Sequence, residues 1–214
     1  MMPRTLSTLD QLISGADRAL RTVFSGAPVA DRENPASDHP ETVRDERTRR
    51  HVAGLMRVNH AGEIAAQGLY QGQAATARLE EVREAMEIAA DEENDHLAWC
   101  QDRLTELGSR PSLLNPVWYA GAFAIGATAG LVGDRWSLGF VAETENQVVR
   151  HLEQHLTRLP EKDQRSRAIL EQMKSDEQRH GANAEDAGAA ALPAPVRGLM
   201  GVVAKLMTRG AYRF

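Results

Sequence analysis

Glu93-Asn94-Asp95-His96 and Glu177-Gln178-Arg179-His180 are two Glu-x-x-His motifs. Residues three apart on a helix share a face, so each motif aims one carboxylate and one imidazole the same way. Two such helices, with one further Glu from each of two others, make the ligand set of a paired iron or manganese centre inside a four-helix bundle. Candidates for the two further glutamates are Glu63, 30 residues before Glu93, and Glu145, 32 residues before Glu177. The order Glu, then Glu-x-x-His, therefore occurs twice. Glu143 competes with Glu145, which we prefer because it continues an apolar stripe. A carboxylate and imidazole set without thiolate disfavours structural zinc and suits iron or manganese.

Such a set needs four helices to carry it. From Arg47 onward the chain has helical periodicity. One stripe holds Val52, Leu55, Met56, Gly62, Glu63, Ala66, Leu69 and Tyr70. A second holds Met86, Ala89, Glu93, His96, Cys100, Leu104 and Leu107, ending at Gly108 with Pro111 beyond. A third is expected to begin near Ser137, as a cap, and runs Leu138, Val141, Ala142, Glu145, Val148, Val149, Leu152, Leu156 and Leu159 to Pro160. The fourth holds Leu170, Met173, Glu177, His180 and Ala184. All six candidate ligands thus fall within apolar stripes. Buried carboxylates are costly unless compensated, and four of them facing two divalent cations sum to zero charge. If paired ligands share a height on antiparallel hairpins, the turns fall near Arg78 and near Glu161. Pro160 marks the second, and spacing alone marks the first.

Metal-bound imidazoles donate their outer N–H to a carboxylate or similar acceptor. Asp176, beside Glu177, and Glu92, beside Glu93, are candidates to orient the histidines in this way; the plainer reading is two surface acids. His151, six residues after Glu145, is either a support for the site or a core histidine. His60 has a supporting or structural role, because the six-ligand set is complete without it. His39 and His51 read as ordinary, and His155 as facing the bundle edge or solvent.

Arg110 and Asp134 enclose 23 uncharged residues, which by length and composition is a candidate membrane span. A single full crossing would put Glu63, Glu93 and His96 on the opposite side from Glu145, Glu177 and His180, so no shared site would assemble. The segment is therefore expected to be a crossover, buried, interfacial or re-entrant, and Gly126-x-x-x-Gly130 suits close helix packing. Trp118 and Tyr119 suit either a lipid boundary or the core. Near the C-terminus Arg197, Lys205, Arg209 and Arg213 flank Leu199, Met200, Val203, Leu206 and Met207 without any acid, the pattern of an interfacial amphipathic helix. Residues 7–25 read as a short amphipathic helix (Leu9, Ile13, Ala16, Leu20, Val23) rather than a secretory signal. Residues 26–46, with Pro28, Pro35 and Pro40, read as a linker. The expected division is 1–46, then a bundle over 47–214. A net charge of −5 argues against nucleic acid as partner, and a lone Cys100 excludes a disulfide within the chain and suits a reducing compartment.

Arg57-Val58-Asn59-His60-Ala61-Gly62-Glu63, followed by Tyr70-Gln71-Gly72-Gln73, resembles the first ligand helix of the demethoxyubiquinone hydroxylases, ferritin-like di-iron monooxygenases of ubiquinone biosynthesis. Asp176-Glu177-Gln178-Arg179-His180 is similar to a signature of wider di-iron carboxylate proteins. The resemblance covers Arg47 to the C-terminus. It implies an all-α, ferritin-like four-helix bundle with an apolar crossover helix and an amphipathic C-terminal helix. It further implies that Glu63, Glu93 and His96 serve one iron and Glu145, Glu177 and His180 the other, with Glu93 and Glu177 bridging. Some relatives carry Tyr after the histidine at 151, where Leu152 stands here.

The implied reaction adds one oxygen atom from O₂ to the benzoquinol ring of a demethoxyubiquinol, using two Fe²⁺ ions. There is no Gly-x-Gly-x-x-Gly fingerprint after a strand, so the electrons are expected from a partner, the quinol itself or loosely bound NADH. The prenyl tail makes the substrate insoluble in water. That fits a peripheral protein on the cytoplasmic side of the cell membrane, meeting its substrate at the surface, with other ubiquinone-biosynthesis proteins as further partners. Two other classes compete: an iron-storage or peroxide-scavenging protein of ferritin type, and a metal-free membrane scaffold that binds prenyl lipids.

Overall fold

The apolar stripes become helices in the computed structural model, which describes residues 8–26 and 28–214. In order these are α1 (Thr8–Phe24), α2 (Glu46–Thr76), α3 (Glu80–Glu106), α4 (Asn115–Val132), α5 (Asp134–Arg158), α6 (Gln164–Asp186) and α7 (Ala194–Arg213). No strand occurs among the described residues. The N-terminal helix lies within the expected 7–25; residue 7 and the Leu9 side chain are outside the described residues.

The bundle consists of two hairpins, α2–α3 and α5–α6. Asp45 caps α2, its carboxylate accepting from the Thr48 N–H at 2.9 Å, and Asp163 caps α6 by accepting from Ser166 N–H at 3.2 Å. The third ligand helix starts three residues earlier than expected, after Gly133, whose φ of 137° suits glycine. Ser137 is therefore not a cap. It lies buried inside α5, its hydroxyl oxygen and carbonyl both accepting from the Gln73 amide at 2.9 Å.

Two apolar layers fill the bundle. One joins Leu55, Met56, Trp99, Cys100, Leu104, Leu152, Ile169, Leu170 and Met173. The other joins Tyr70, Ala74, Met86, Ala90, Leu138, Val141, Ala142 and Ala184. On every ligand helix the candidate ligands fall between these layers, so the polar groups occupy a slab with apolar packing above and below.

The crossover α4 lies across the outside of α2 at very close approach. A Cβ on Gly126 would sit 2.1 Å from the Leu69 carbonyl oxygen, and one on Gly72 would sit 2.3 Å from the Phe123 carbonyl oxygen. Only glycine on both helices permits this crossing. Tyr119 is buried, and its hydroxyl donates to Gln71 Oε1 at 2.7 Å. Trp118 packs with Val58, Ala61 and Ala211. No helix among the described residues is long and apolar enough to cross a membrane. The outward faces of α4 (Val117, Ile125, Leu131, Val132) and α7 (Leu199, Val202, Val203, Leu206) are exposed all the same.

Residues 28–45 do not hang free. They form a strap along the bundle, with Ala36 and Val43 buried in the first apolar layer. The buried guanidinium of Arg103 binds Glu41 of the strap, and also Glu106 at 2.8 Å and Asp163 at 3.0 Å. Thr42 Oγ1 donates to the Lys162 carbonyl at 2.6 Å.

Candidate metal centre

Each hairpin supplies one plain glutamate and one Glu-x-x-His helix: Glu63 from α2, Glu93 and His96 from α3, Glu145 from α5, Glu177 and His180 from α6. All six are buried, none more than 6% exposed. Ligand atoms of Glu63, Glu93, His96 and Glu177 all lie within 4.8 Å of one another. His96 Nδ1 lies 2.7 Å from Glu93 Oε2, 3.3 Å from Glu177 Oε1 and 3.9 Å from Glu63 Oε2. His180 Nδ1 lies 3.2 Å from Glu93 Oε1 and 3.4 Å from Glu177 Oε2. Glu145 hydrogen-bonds Glu177 and receives the Tyr70 hydroxyl. The structure thus brings the six together, with Glu93 and Glu177 in the middle, each within reach of both imidazoles.

The outer atoms of the two imidazoles are held in a crossed arrangement. His96 of α3 directs Nε2 to Asp176 Oδ2 of α6 at 3.0 Å, while His180 of α6 directs Nε2 to Glu92 Oε2 of α3. Each acid beside a motif glutamate therefore backs the histidine of the other motif. His151 is placed elsewhere. Its ring lies 3.9 Å from that of His155, its Nε2 is buried without a hydrogen-bond partner, and no hydrogen bond joins it to the six. His155 does not face solvent as expected; it is buried and its Nδ1 meets Asn59 Oδ1 at 2.9 Å. His60 is buried against Asn115, and desolvation lowers its pKa to about 4. Glu143 pairs with Arg150 at 3.3 Å on the bundle's outer side, leaving Glu145 alone to face inward.

Charge is what this slab must solve. Burial raises Glu63 well above the ordinary carboxylate range, and the charges of Glu93 and Glu177 add to the effect. Burial and Glu177 raise Glu145 likewise. Burial alone would lower the two imidazoles. Glu93 outweighs it at His96, and Glu177 with Glu93 outweighs it at His180, so both are raised. Glu93 and Glu177 end below their usual range despite burial, because the imidazoliums face them. Protons thus do the work that cations would do better.

The donor set fits a pair of cations on a further observation. Glu93 Oε1, Glu177 Oε2 and His180 Nδ1 are buried and make no well-aligned hydrogen bond, meeting one another only as ion pairs at 3.2 and 3.4 Å. Buried polar atoms without a hydrogen bond are rare, and these three face one shared space between α3 and α6. Divalent iron there would be met by oxygen and imidazole donors of suitable type.

Sequence reasoning missed two residues at this site. Tyr70 enters the sequence reading as part of an apolar stripe and of the family-like Tyr70-Gln71-Gly72-Gln73 stretch, without a role at the site, yet its hydroxyl reaches Glu145 across the bundle. Arg32 lay in the supposed linker, yet its Nη1 meets Asp176 Oδ2 at 2.8 Å. Neither carries a local sequence signal, since each acts through a partner at least 75 positions away.

A family model described as ubiquinone biosynthesis protein COQ7 matches residues 50–211. A protein of Alcanivorax borkumensis named 3-demethoxyubiquinol 3-hydroxylase is 58% identical over 219 residues, covering 100% of both chains. A protein of the same name from Xanthomonas euvesicatoria is 61% identical over 210 residues, covering 98% of this chain and 96% of that one. Another from Xanthomonas campestris is 60% identical over 211 residues, covering 99% and 97%.

Proposed function

The chain belongs to the COQ7 family of ubiquinone biosynthesis proteins, and from that premise we infer that it is a 3-demethoxyubiquinol 3-hydroxylase. It hydroxylates the benzoquinol ring of a demethoxyubiquinol with O₂: one oxygen atom enters a ring C–H bond, the other leaves as water, and a reductant supplies two electrons and two protons. The observation that carries this reading is the buried slab of four carboxylates and two imidazoles, in a chain similar over its whole length to proteins of that name. A metal-free scaffold would give no reason to bury four acids around two imidazoles, and nothing in the fold favours iron storage.

Two Fe²⁺ ions would be held by Glu63, Glu93, His96, Glu145, Glu177 and His180, with Glu93 and Glu177 within reach of both imidazoles. When bound, the pair supplies the redox chemistry that activates O₂. The protein's own groups do the rest. The apolar layers above and below keep water from the slab. Asp176 and Glu92 fix the two imidazoles so that Nδ1 faces inward. Tyr70 holds its proton against Glu145, its phenol pushed well above the usual pKa by burial and by the Glu145 charge.

The electrons come from outside the chain, with NADH the first donor to test. We place the protein on the cytoplasmic face of the cell membrane as a peripheral protein. Three things support this: the exposed apolar faces of α4 and α7, the exposed Arg197, Lys205, Arg209 and Arg213, and a prenylated substrate that resides in lipid. Other proteins of the same pathway are natural partners at that surface.

Lipid analysis of cells lacking this protein tests substrate and pathway together. Accumulation of the demethoxy precursor is expected, and a normal ubiquinone pool would overturn the assignment.

A further inference from the structure

We propose that Arg32, in the strap, is a positioning residue that sets His96 from outside through Asp176; the proposal rests on the metal-centre reading above. Arg32 precedes the residues that the family model matches, 50–211. Its guanidinium bridges two helices, with Nε 2.5 Å from Asp95 Oδ2 on α3 and Nη1 2.8 Å from Asp176 Oδ2 on α6. Asp176 Oδ2 is also the atom that accepts from His96 Nε2 at 3.0 Å. One carboxylate oxygen therefore receives both the strap and the imidazole.

The guanidinium is itself fixed. It lies over the Trp99 ring, 4.8 Å from the centroid, and Trp99 in turn lies 5.5 Å from the His96 ring. The backbone N–H groups of Asp31 and Arg32 both donate to Asp95 Oδ1, at 2.7 and 3.4 Å. A planar fork that meets two carboxylates at once is a task suited to arginine and poorly done by lysine.

Without Arg32, Asp95 and Asp176 would be two largely buried acids with no cation between them. Asp176 has other partners to turn to, because Gln172 lies 3.2 Å and Arg179 3.4 Å from its Oδ1. A turn in that direction would release His96 Nε2. The clamp on the His180 side is looser: Glu92 is 37% exposed at the side chain against 7% for Asp176, and Arg179 meets it at 3.4 Å where Arg32 meets Asp176 at 2.8 Å. The two subsites are thus built unequally, one locked by the strap and one open to solvent on its outer edge.

The test is metal retention, read without turnover. Protein loaded anaerobically with Fe²⁺ is challenged with a chelator, and Co²⁺-substituted protein is followed by its visible spectrum, which reports ligand geometry. In R32A one of the two ions should be lost up to about 10-fold more readily, the lower end of the range for removing a ligand's direct outer partner, because Arg32 acts through Asp176, and the Co²⁺ bands should change. R32K should restore part of the loss, and R32Q serves if R32A does not fold. E41Q loosens the strap at Arg103, away from the six, and should behave as wild type. Wild-type retention and spectrum in R32A or R32Q would overturn the proposal, as would a loss in E41Q equal to that in R32A. A wild-type protein that takes up no paired ions would overturn the metal centre itself, and the proposal with it.

Discussion

The Tyr70 hydroxyl on α2 donates to Glu145 Oε1 on α5, joining the two hairpins at the level of the centre. Both groups are buried, Tyr70 at 0% and Glu145 at 3% exposure, so water cannot replace either partner. In Tyr70→Phe a buried carboxylate loses its donor, which costs about 1–3 kcal/mol. Denaturant unfolding should register that loss, and iron titration should show roughly tenfold weaker binding at the Glu145 subsite. Unchanged stability and affinity would refute a holding role for Tyr70.

His180→Ala removes an imidazole from a set with no spare ligand in reach. Turnover and iron content should fall together, turnover by at least about 100-fold, the upper end even for losing an outer partner of a ligand. Iron analysis alongside an assay of quinol hydroxylation checks both. Full activity would contradict the assigned set.

Metal uptake should be linked to protons. Glu63, Glu145, His96 and His180 all have raised pKa values in the folded protein, so metal must compete there with protons held more tightly than in the unfolded chain. Affinity for Fe²⁺ should rise with pH, and calorimetry in buffers of different ionisation enthalpy should detect proton release on binding. The apo-protein should behave in the opposite sense. Above pH 4.5 for the two acids, and above pH 6.5 for the imidazoles, the folded state binds more protons than the unfolded chain, so stability falls as pH rises toward the folded values. The Tm of apo-protein should therefore decline from pH 6.5 to 9, and metal should abolish most of that decline.

Two alanine substitutions on α4 should have opposite signs. A Cβ at Gly126 meets the Leu69 backbone, whereas a Cβ at Gly121 meets nothing within 4 Å. Gly126→Ala should destabilise by about 1–3 kcal/mol through overpacking. Gly121→Ala should stabilise by up to about 1 kcal/mol through helix propensity. Thermal melts of the pair decide whether the α2–α4 crossing is as close as described.

Surface binding should depend on α7. Leu199 and Leu206 are 63% and 67% exposed on one face of that helix. Replacing both with Glu should abolish co-sedimentation with anionic vesicles, because it removes apolar area and adds repulsion. Retained binding would move the contact elsewhere.

The four ligand helices were legible because their apolar stripes and the spacing of six residues agreed, and both turns fall near the midpoints that spacing required. The first turn lacked a local signal for a reason the structure supplies. Asp134, from the start of α5, accepts from the backbone N–H groups of Arg78 and Leu79 at 3.1 and 3.0 Å, so the turn needs no Gly or Pro of its own. The exchange of partners between Asp176 and Glu92 was legible only as two acids of the right type, since which histidine each meets depends on how α3 faces α6. Ser137 failed as a cap because Gln73, on another helix, claims it. The strap was read as a linker because its prolines carry the signal of irregular backbone, and irregular backbone packs as readily as it dangles once Arg103 and Asp95 offer partners.

The strap also imposes an order of events. Residues 28–45 leave the ribosome early, but Asp163 and Asp176 are made well over a hundred residues later. The Arg32–Asp176 contact spans 144 positions, among the costliest closures in the chain. During synthesis the strap has partners on α3 as soon as Asp95, Trp99 and Arg103 exist, but its Asp176 contact must wait until the final ligand helix has emerged. The bridge that Arg32 makes from α3 to α6 is therefore completed only after both hairpins exist.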